Sequence, residues 1–255
     1  MVSEEELVSL GIWPLSTPTE RDALAFLIAH LPADGRYEVE IRDAIVSVGP
    51  YPIHQRTGTP PPGLRFLPTL EPGLSDDLDT YPKRASCGHA FTECARAVVR
   101  EAAANALVIV EIGVADDLAS TVSLDLMRNK PPGAVYIGID KVDRRHYHDP
   151  ECGIHVLCGD STNRQPCFDL LDSLERQYID LLFIDGWHSV NQCLADWRYT
   201  ERLAPNGTVL MHDTNHHPGP AALYAAIDPV QWDKHQACPA LNDYGIAVVR
   251  RCTSS

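Results

Sequence analysis

Five short apolar runs constrain this chain more than any other feature of it. Each ends on or beside an acidic residue, and most lead into a stretch with helical spacing. They read LVIVEIG from Leu107, AVYIGID from Ala134, IHVLCGD from Ile154, DLLFIDG from Asp180 and GTVLMHD from Gly207. A strand that is apolar on both alternations must be covered on both faces, and intervening helices supply that cover in a parallel sheet. Helical spacing recurs at about 118–129, 163–177 and 189–203. HAFTECARAVVREAAANA puts Phe91, Cys94, Ala95, Val98, Val99 and Ala102 on one helical side. The pattern predicts an α/β fold, a doubly wound, Rossmann-like, mostly parallel sheet. VQWDKHQAC and YGIAVVRR then predict an antiparallel C-terminal hairpin at the sheet edge.

Residues 1–85 have a different texture and are expected to form an N-terminal appendage to a main domain over 86–255. STPTERDALAFLIAHLP spaces Leu24, Leu27, Ile28 and Leu31 as a helix does, and RYEVEIRDAIVSVG alternates as one or two strands do. Residues 50–82 hold eight of the twenty prolines, which predicts an irregular segment.

The net charge of −14 argues against nucleic acid as the main partner, because such a surface repels phosphates. No apolar run is long enough to span a bilayer, and MVSEEELVSL has no apolar signal-like segment, so no membrane partner and a cytoplasmic location are expected. The eight cysteines form no C-x-x-C pair and read as reduced, mostly apolar residues rather than a zinc ribbon. A homo-oligomer is compatible with the sequence.

In open parallel sheets the ligand crevice lies at the carboxyl ends of the strands. Glu111, Asp140, Asp160, Asp185 and Asp213 all fall there. Any one of them could simply cap the next helix. Five at one edge repel one another unless a ligand, a metal or hydrogen bonds offset the charge. The first turn, EIGVADDLAST, has one glycine and two aspartates in place of G-x-G-x-x-G, so it is ill-suited to a pyrophosphate. A phosphate-free nucleoside with a positive centre, such as S-adenosylmethionine, suits it better. A nicotinamide dehydrogenase is disfavoured for the same reason.

The order VEIGVADDLAST, YIGIDKVD, HVLCGDST, IDLLFIDGWHS, RLAPNGTVLMHDT resembles the class I S-adenosylmethionine-dependent methyltransferases. FIDGWHSVNQCLADW followed by LAPNGTVLMHD is similar to a metal-dependent small-molecule O-methyltransferase group. That group includes macrolide-sugar and rhamnosyl enzymes, with cephalosporin-hydroxylase-like proteins as relatives. The resemblance covers about residues 86–250. It implies a hydroxyl acceptor on a sugar or natural product, and Mg²⁺, or Mn²⁺ or Ca²⁺, as metal.

By that resemblance Glu111, Gly113 and Ala115 form the turn around the methionine part of the cofactor. Ser120 and Thr121 bind its carboxylate, Asp140 takes the ribose hydroxyls, and Asp160 with Ser161 lies beside the adenine amino group. The family usually has a glycine where this chain has Asp116 or Asp117. Asp185 faces the methyl group and binds the cation, with Asp213 and either His212 or Asn215 completing the site. His188 is the base, since imidazole titrates in the useful range.

Other readings stay open at this stage. His188 could only hydrogen-bond the cofactor or backbone, and HDTNHH could be an iron or zinc cluster. Trp187 either stacks on adenine or fills a gap. Asp196 reads as structural, paired with an arginine. His146, Tyr147 and His148 read as a solvated loop, and Val190, Cys193, Leu194 and Trp197 as core-facing. The rival classes are a metal-independent methyltransferase, a non-catalytic cofactor binder and an oxidoreductase-like relative that uses HDTNHH.

Overall fold

The protein is described by a computed structural model over residues 38–42, 45–49, 64–66, 92–115, 122–188, 190–214, 220, 223–224, 226–238 and 244–252. For residues 38–42, 45–49, 64–66, 190 and 191 only the backbone is described. The helix expected within 1–35 lies outside these residues, as does Phe91.

A small sheet comes first. β1 (Glu38–Arg42) pairs antiparallel with β2 (Ile45–Gly49), as the alternation predicts. β3 (Leu64–Phe66) pairs parallel with β2, Leu64 opposite Val46. This corrects the expectation that 50–82 is irregular throughout. Leu64, Arg65 and Phe66 follow the TPPPG prolines and keep the amide hydrogens that a ladder needs.

The main sheet has seven strands. They are β4 (Val108–Ile112), β5 (Val135–Asp140), β6 (Ile154–Cys158), β7 (Ile179–Ile184), β8 (Leu203–His212), β9 (Trp232–Gln236) and β10 (Ile246–Arg251), in the order β6-β5-β4-β7-β8-β10-β9. The pairs among β4 to β8 are parallel. β10 runs antiparallel between β8 and β9, so the second strand of the hairpin lies inward and the first forms the edge. From β4 the chain winds outward through β5 and β6, then returns to the other side of β4 for β7 and β8. The crevice between the tips of β4 and β7 is therefore the topological switch point, where open α/β sheets bind ligands.

Helices cover both faces. On one lie α1 (Glu93–Ala104) and α2 (Val122–Asn129). Thr92 caps α1 by accepting from the Ala95 amide at 3.3 Å. The helix buries Ala95, Val99 and Ala103, while Cys94, expected on the inner side, is exposed. Arg96 ties the two helices by donating to both Asp125 oxygens at 2.7 and 3.1 Å. On the other face lie α3 (Gln165–Ser173) and α4 (Val190–Trp197), the latter extended by a 3-10 turn over Arg198–Arg202. α3 is shorter than the spacing predicts, because Glu175 turns to a φ of 55° just beyond it. Strand alternation divides the core accordingly. Val108, Val110 and Ile112 pack with Leu171, Leu194 and Trp197, while Ile109, Leu181 and Phe183 pack with Val99 and Leu126. A buried core side chain of this size contributes roughly 1.5–3 kcal/mol by leaving water, so these two layers hold the strand tips in place.

Candidate active site

Three strand tips are fastened together by backbone bonds. Gly113 donates to Ile139 O, and Asp185 donates to Ile112 O, both at 2.9 Å. Gly113 has φ +89°, and a Cβ added there would lie 2.1 Å from the Asp185 carbonyl oxygen. Only glycine lets the two backbones meet this closely.

Glu111 turns inward from the rim. Its carboxylate is buried, with one oxygen accepting from Ser123 at 2.7 Å and the other from the Tyr136 hydroxyl. Ser123 in turn accepts from the Ala115 amide at 3.0 Å. A buried chain thus runs from Tyr136 through Glu111 and Ser123 to the first turn, and it holds the backbone at Ala115. Burial pushes the Glu111 carboxyl up to about 8, against the pull of the Tyr136 and Ser123 bonds. Gly138, paired with Glu111 across the ladder, has no Cβ because one would fall 2.8 Å from the Tyr136 hydroxyl. The sequence reading missed Ser123 and Tyr136. The available signal was a glycine in mid-strand, which marks a close approach.

Asp140 ends β5, accepts from the Val142 amide at 2.7 Å and lies 3.6 Å from Arg144 Nε. Arg144 also donates to Val114 O at 3.1 Å, bracing the first turn against the second. Asp160 is half-exposed and caps its own loop, accepting from the Thr162 amide at 2.9 Å and hydroxyl at 2.8 Å, with Lys141 at 3.1 Å. The Thr162 bonds, then Lys141, hold its carboxyl below the ordinary value.

Ser161 is buried and donates to Asp196 Oδ1 at 2.7 Å, while Gln192 donates to both at 2.8 and 2.9 Å. Asp196, expected to pair with an arginine, instead has a serine and a glutamine as partners. Its place deep under the loop, fully buried, favours short neutral donors. Burial pushes it up to about 7.

The tips of β7 and β8 carry the densest cluster. Asp185 Oδ1 lies 2.9 Å from His212 Nδ1 and 4.0 Å from His188 Nε2. Asp213 Oδ2 lies 2.6 Å from His188 Nε2 and 3.3 Å from His212 Nδ1. Burial opposes charge on His188, His212 and Asp213, but attraction between the opposite charges wins. It raises His188 to about 9 and His212 well above its ordinary value, and it holds Asp213 well below its own. Asp213 has φ +62°, a left-handed backbone rarely adopted by a residue with a side chain. Its Oδ1 is buried without a hydrogen-bond partner. One donor atom each from Asp185, His212 and Asp213 lie within 4.8 Å of one another, a spacing that fits a cation. The unpartnered carboxylate oxygen is what such an ion would engage.

Trp187 is 40% exposed beside this cluster. His146 and His148 are exposed, as expected of a solvated loop, although His148 accepts from the Val156 amide at 3.1 Å and Tyr147 packs partly buried against the α1–α2 side of the core. Cys193, Leu194 and Trp197 are buried. Ser120, Thr121, Asp116, Asp117, Asn215 and the last two histidines of HDTNHH lie outside the described residues.

A family model described as a methyltransferase domain matches residues 85–214. No curated protein matches the chain. Among solved structures, the chain is similar to the MycE methyltransferase of the mycinamycin biosynthetic pathway, in complex with Mg, SAH and mycinamycin VI. The identity is 17% and the TM-score 0.46, over 64% of this chain and 50% of that one, so the match spans half of MycE's length. It is also similar to an O-methyltransferase from Bacillus cereus in complex with SAH, with 12% identity, a TM-score of 0.44, and 65% and 84% of the two chains covered. TomG, an O-methyltransferase of tomaymycin synthesis from Streptomyces achromogenes, matches at 16% identity with a TM-score of 0.42, over 64% and 82%.

Proposed function

The chain belongs to the methyltransferase-domain family, and from that premise we propose that it transfers the methyl group of S-adenosylmethionine to a hydroxyl of a small molecule, a sugar or a natural product, with a divalent cation at the tips of β7 and β8. The observation that carries this reading is the largely buried cluster of Asp185, His188, His212 and Asp213 beside the switch point, with an unpartnered Asp213 oxygen.

In this reading the first turn, held by the Glu111–Ser123–Ala115 chain, wraps the methionine part of the cofactor. Asp140 accepts from the ribose hydroxyls, since a carboxylate has lone pairs for both. Ser120, Asp160 and Ser161 keep their expected roles at the carboxylate and adenine ends. Asp185 and Asp213 would hold the cation, with His212 as third donor. A cation held there would supply the charge that lowers the pKa of an acceptor hydroxyl. His188 takes the hydroxyl proton. By themselves the two carboxylates raise His188 to about 9, and a cation sharing their charge would bring the imidazole back toward the range in which it acts as a base. Mg²⁺ and Mn²⁺ suit the two carboxylates, and the imidazole favours Mn²⁺ of the two.

A second reading has one observation in its favour. His188 Nε2 already lies 2.6 Å from Asp213 Oδ2, a contact by which a carboxylate positions the imidazole with no metal. The test is methyl transfer from labelled S-adenosylmethionine to a panel of hydroxylated sugars and polyketides, with Mg²⁺, Mn²⁺ or a chelator. The metal-assisted route predicts that chelation abolishes transfer, and full activity under chelator supports the metal-free route. No heat on titrating S-adenosylhomocysteine at millimolar concentration would overturn both.

A further inference from the structure

Away from the site, two cysteines meet across a long sequence separation. Cys238 Sγ lies 2.9 Å from Cys94 Sγ, 144 positions away, and among the described residues no other two cysteine sulfurs are in contact. Cys94 is in the first turn of α1 and exposed, whereas Cys238 follows β9 and is buried. Cys94 Sγ is also 3.8 Å from Ala237 O, so the first turn of α1 rests on the chain leaving β9. A disulfide needs its sulfurs about 2.05 Å apart, so the pair must close by roughly 0.9 Å. Cys167 and Cys193 are buried, and Cys152, Cys158 and Cys252 are exposed, none with a sulfur partner among the described residues.

We propose that Cys94 and Cys238 are a thiol pair that a peroxide converts reversibly to a disulfide. Cys94, reached from solvent, attacks the peroxide oxygen and becomes a sulfenic acid as the O–O bond breaks and one water leaves. Cys238 Sγ then attacks that sulfur, and the hydroxyl departs as a second water with the proton Cys238 gives up. Two thiols and one peroxide yield one disulfide and two waters, and two electrons pass from sulfur to oxygen.

The bond staples the first turn of α1 to the segment after β9. That segment adjoins the active site, since Gln236, two residues before Cys238, accepts from the Thr214 hydroxyl at 2.9 Å, next to Asp213. The inference does not depend on which reaction the site performs.

The test oxidises the folded, full-length protein with hydrogen peroxide, blocks remaining thiols with an alkylating agent, and maps peptides by mass spectrometry with and without dithiothreitol. The expected product is a Cys94–Cys238 linked peptide pair, lighter than its parts by two hydrogens and released by dithiothreitol. It is lost in Cys94→Ser, an exposed position that tolerates the change. The oxidised protein should melt roughly 10 °C higher, because the link closes a very long loop in the unfolded chain. Recovery of both cysteines alkylated, Cys94 as sulfinic acid beside an alkylated Cys238, or linkage of Cys94 to any other thiol would each overturn the proposal.

Discussion

Replacing Gly113 with alanine tests whether the backbone contact between β4 and β7 is what shapes the crevice. The new Cβ would stand 2.1 Å from Asp185 O, 2.6 Å from Asp185 C and 3.0 Å from Gly186 Cα, all backbone atoms that cannot swing aside. Ordinary contact lies near 3.5 Å, so the tips must part by more than about 1 Å. Three costs follow. A non-glycine residue at positive φ costs about 1–2 kcal/mol. Overpacking in a closely packed region costs about 1–3 kcal/mol. Loss of the Asp185 amide bond to Ile112 O adds about 1 kcal/mol. The sum is about 3–6 kcal/mol, a large share of the stability of an ordinary domain. Gly133→Ala is the matched control, with φ +78° and nothing within 4 Å of the added Cβ, so it carries the first cost alone. Urea unfolding followed by the fluorescence of buried Trp197 and Trp232 measures both. The reasoning requires Gly113→Ala to lose about 2–4 kcal/mol more than Gly133→Ala. Equal losses would show that the two tips have room to separate freely, and the account of the switch point would be wrong.

Other substitutions probe the site and its supports. Asp213→Asn should lower Mn²⁺ affinity at least tenfold by calorimetry, and should drop the His188 titration seen by NMR from about 9 toward its ordinary value, because the carboxylate that stabilises the imidazolium is gone. Trp197→Ala, which empties a fully buried site against Trp232 at 5.1 Å, should cost about 3–5 kcal/mol in urea unfolding. The pH dependence of stability has a definite sign. Glu111, Asp196, His188 and His212 all have folded pKa values above their ordinary ones, so each contributes stability that is lost as pH rises through its folded value. The metal-free protein should therefore melt at falling temperature from pH 5 to 9. Glu111→Gln, which cannot ionise, should lose less between pH 5 and 8 than the natural chain. A melting temperature that rises over that range would contradict the burial assigned to Glu111 and Asp196 and the attraction of the two histidines to Asp185 and Asp213.

Much of the fold was legible because its signals are local. The apolar runs ending at Glu111, Asp140, Asp160, Asp185 and Asp213 became the strand tips expected of them, and helical spacing located α1 to α4 to within a few residues. The strand at Leu64–Phe66 was hidden because three residues carry no measurable period and the prolines around them dominate the local signal.

The roles of the acids divided in a way no local pattern could show. Glu111 reads like its fellows along the chain, yet it is buried between Tyr136 and Ser123, while Asp160 caps an exposed loop. Asp196 found Ser161, 35 positions away, and His188 found Asp213.

The sequence by itself determined the strands and helices of the main sheet, because burial on one face or two writes a period into neighbouring residues. It also determined which acids lie at strand ends. The tertiary structure alone decided which acids meet imidazoles, which meet hydroxyls and which meet solvent. Those encounters depend on the order of strands across the sheet, where parallel pairing brings together residues separated by whole crossovers, and on how deeply each tip is covered.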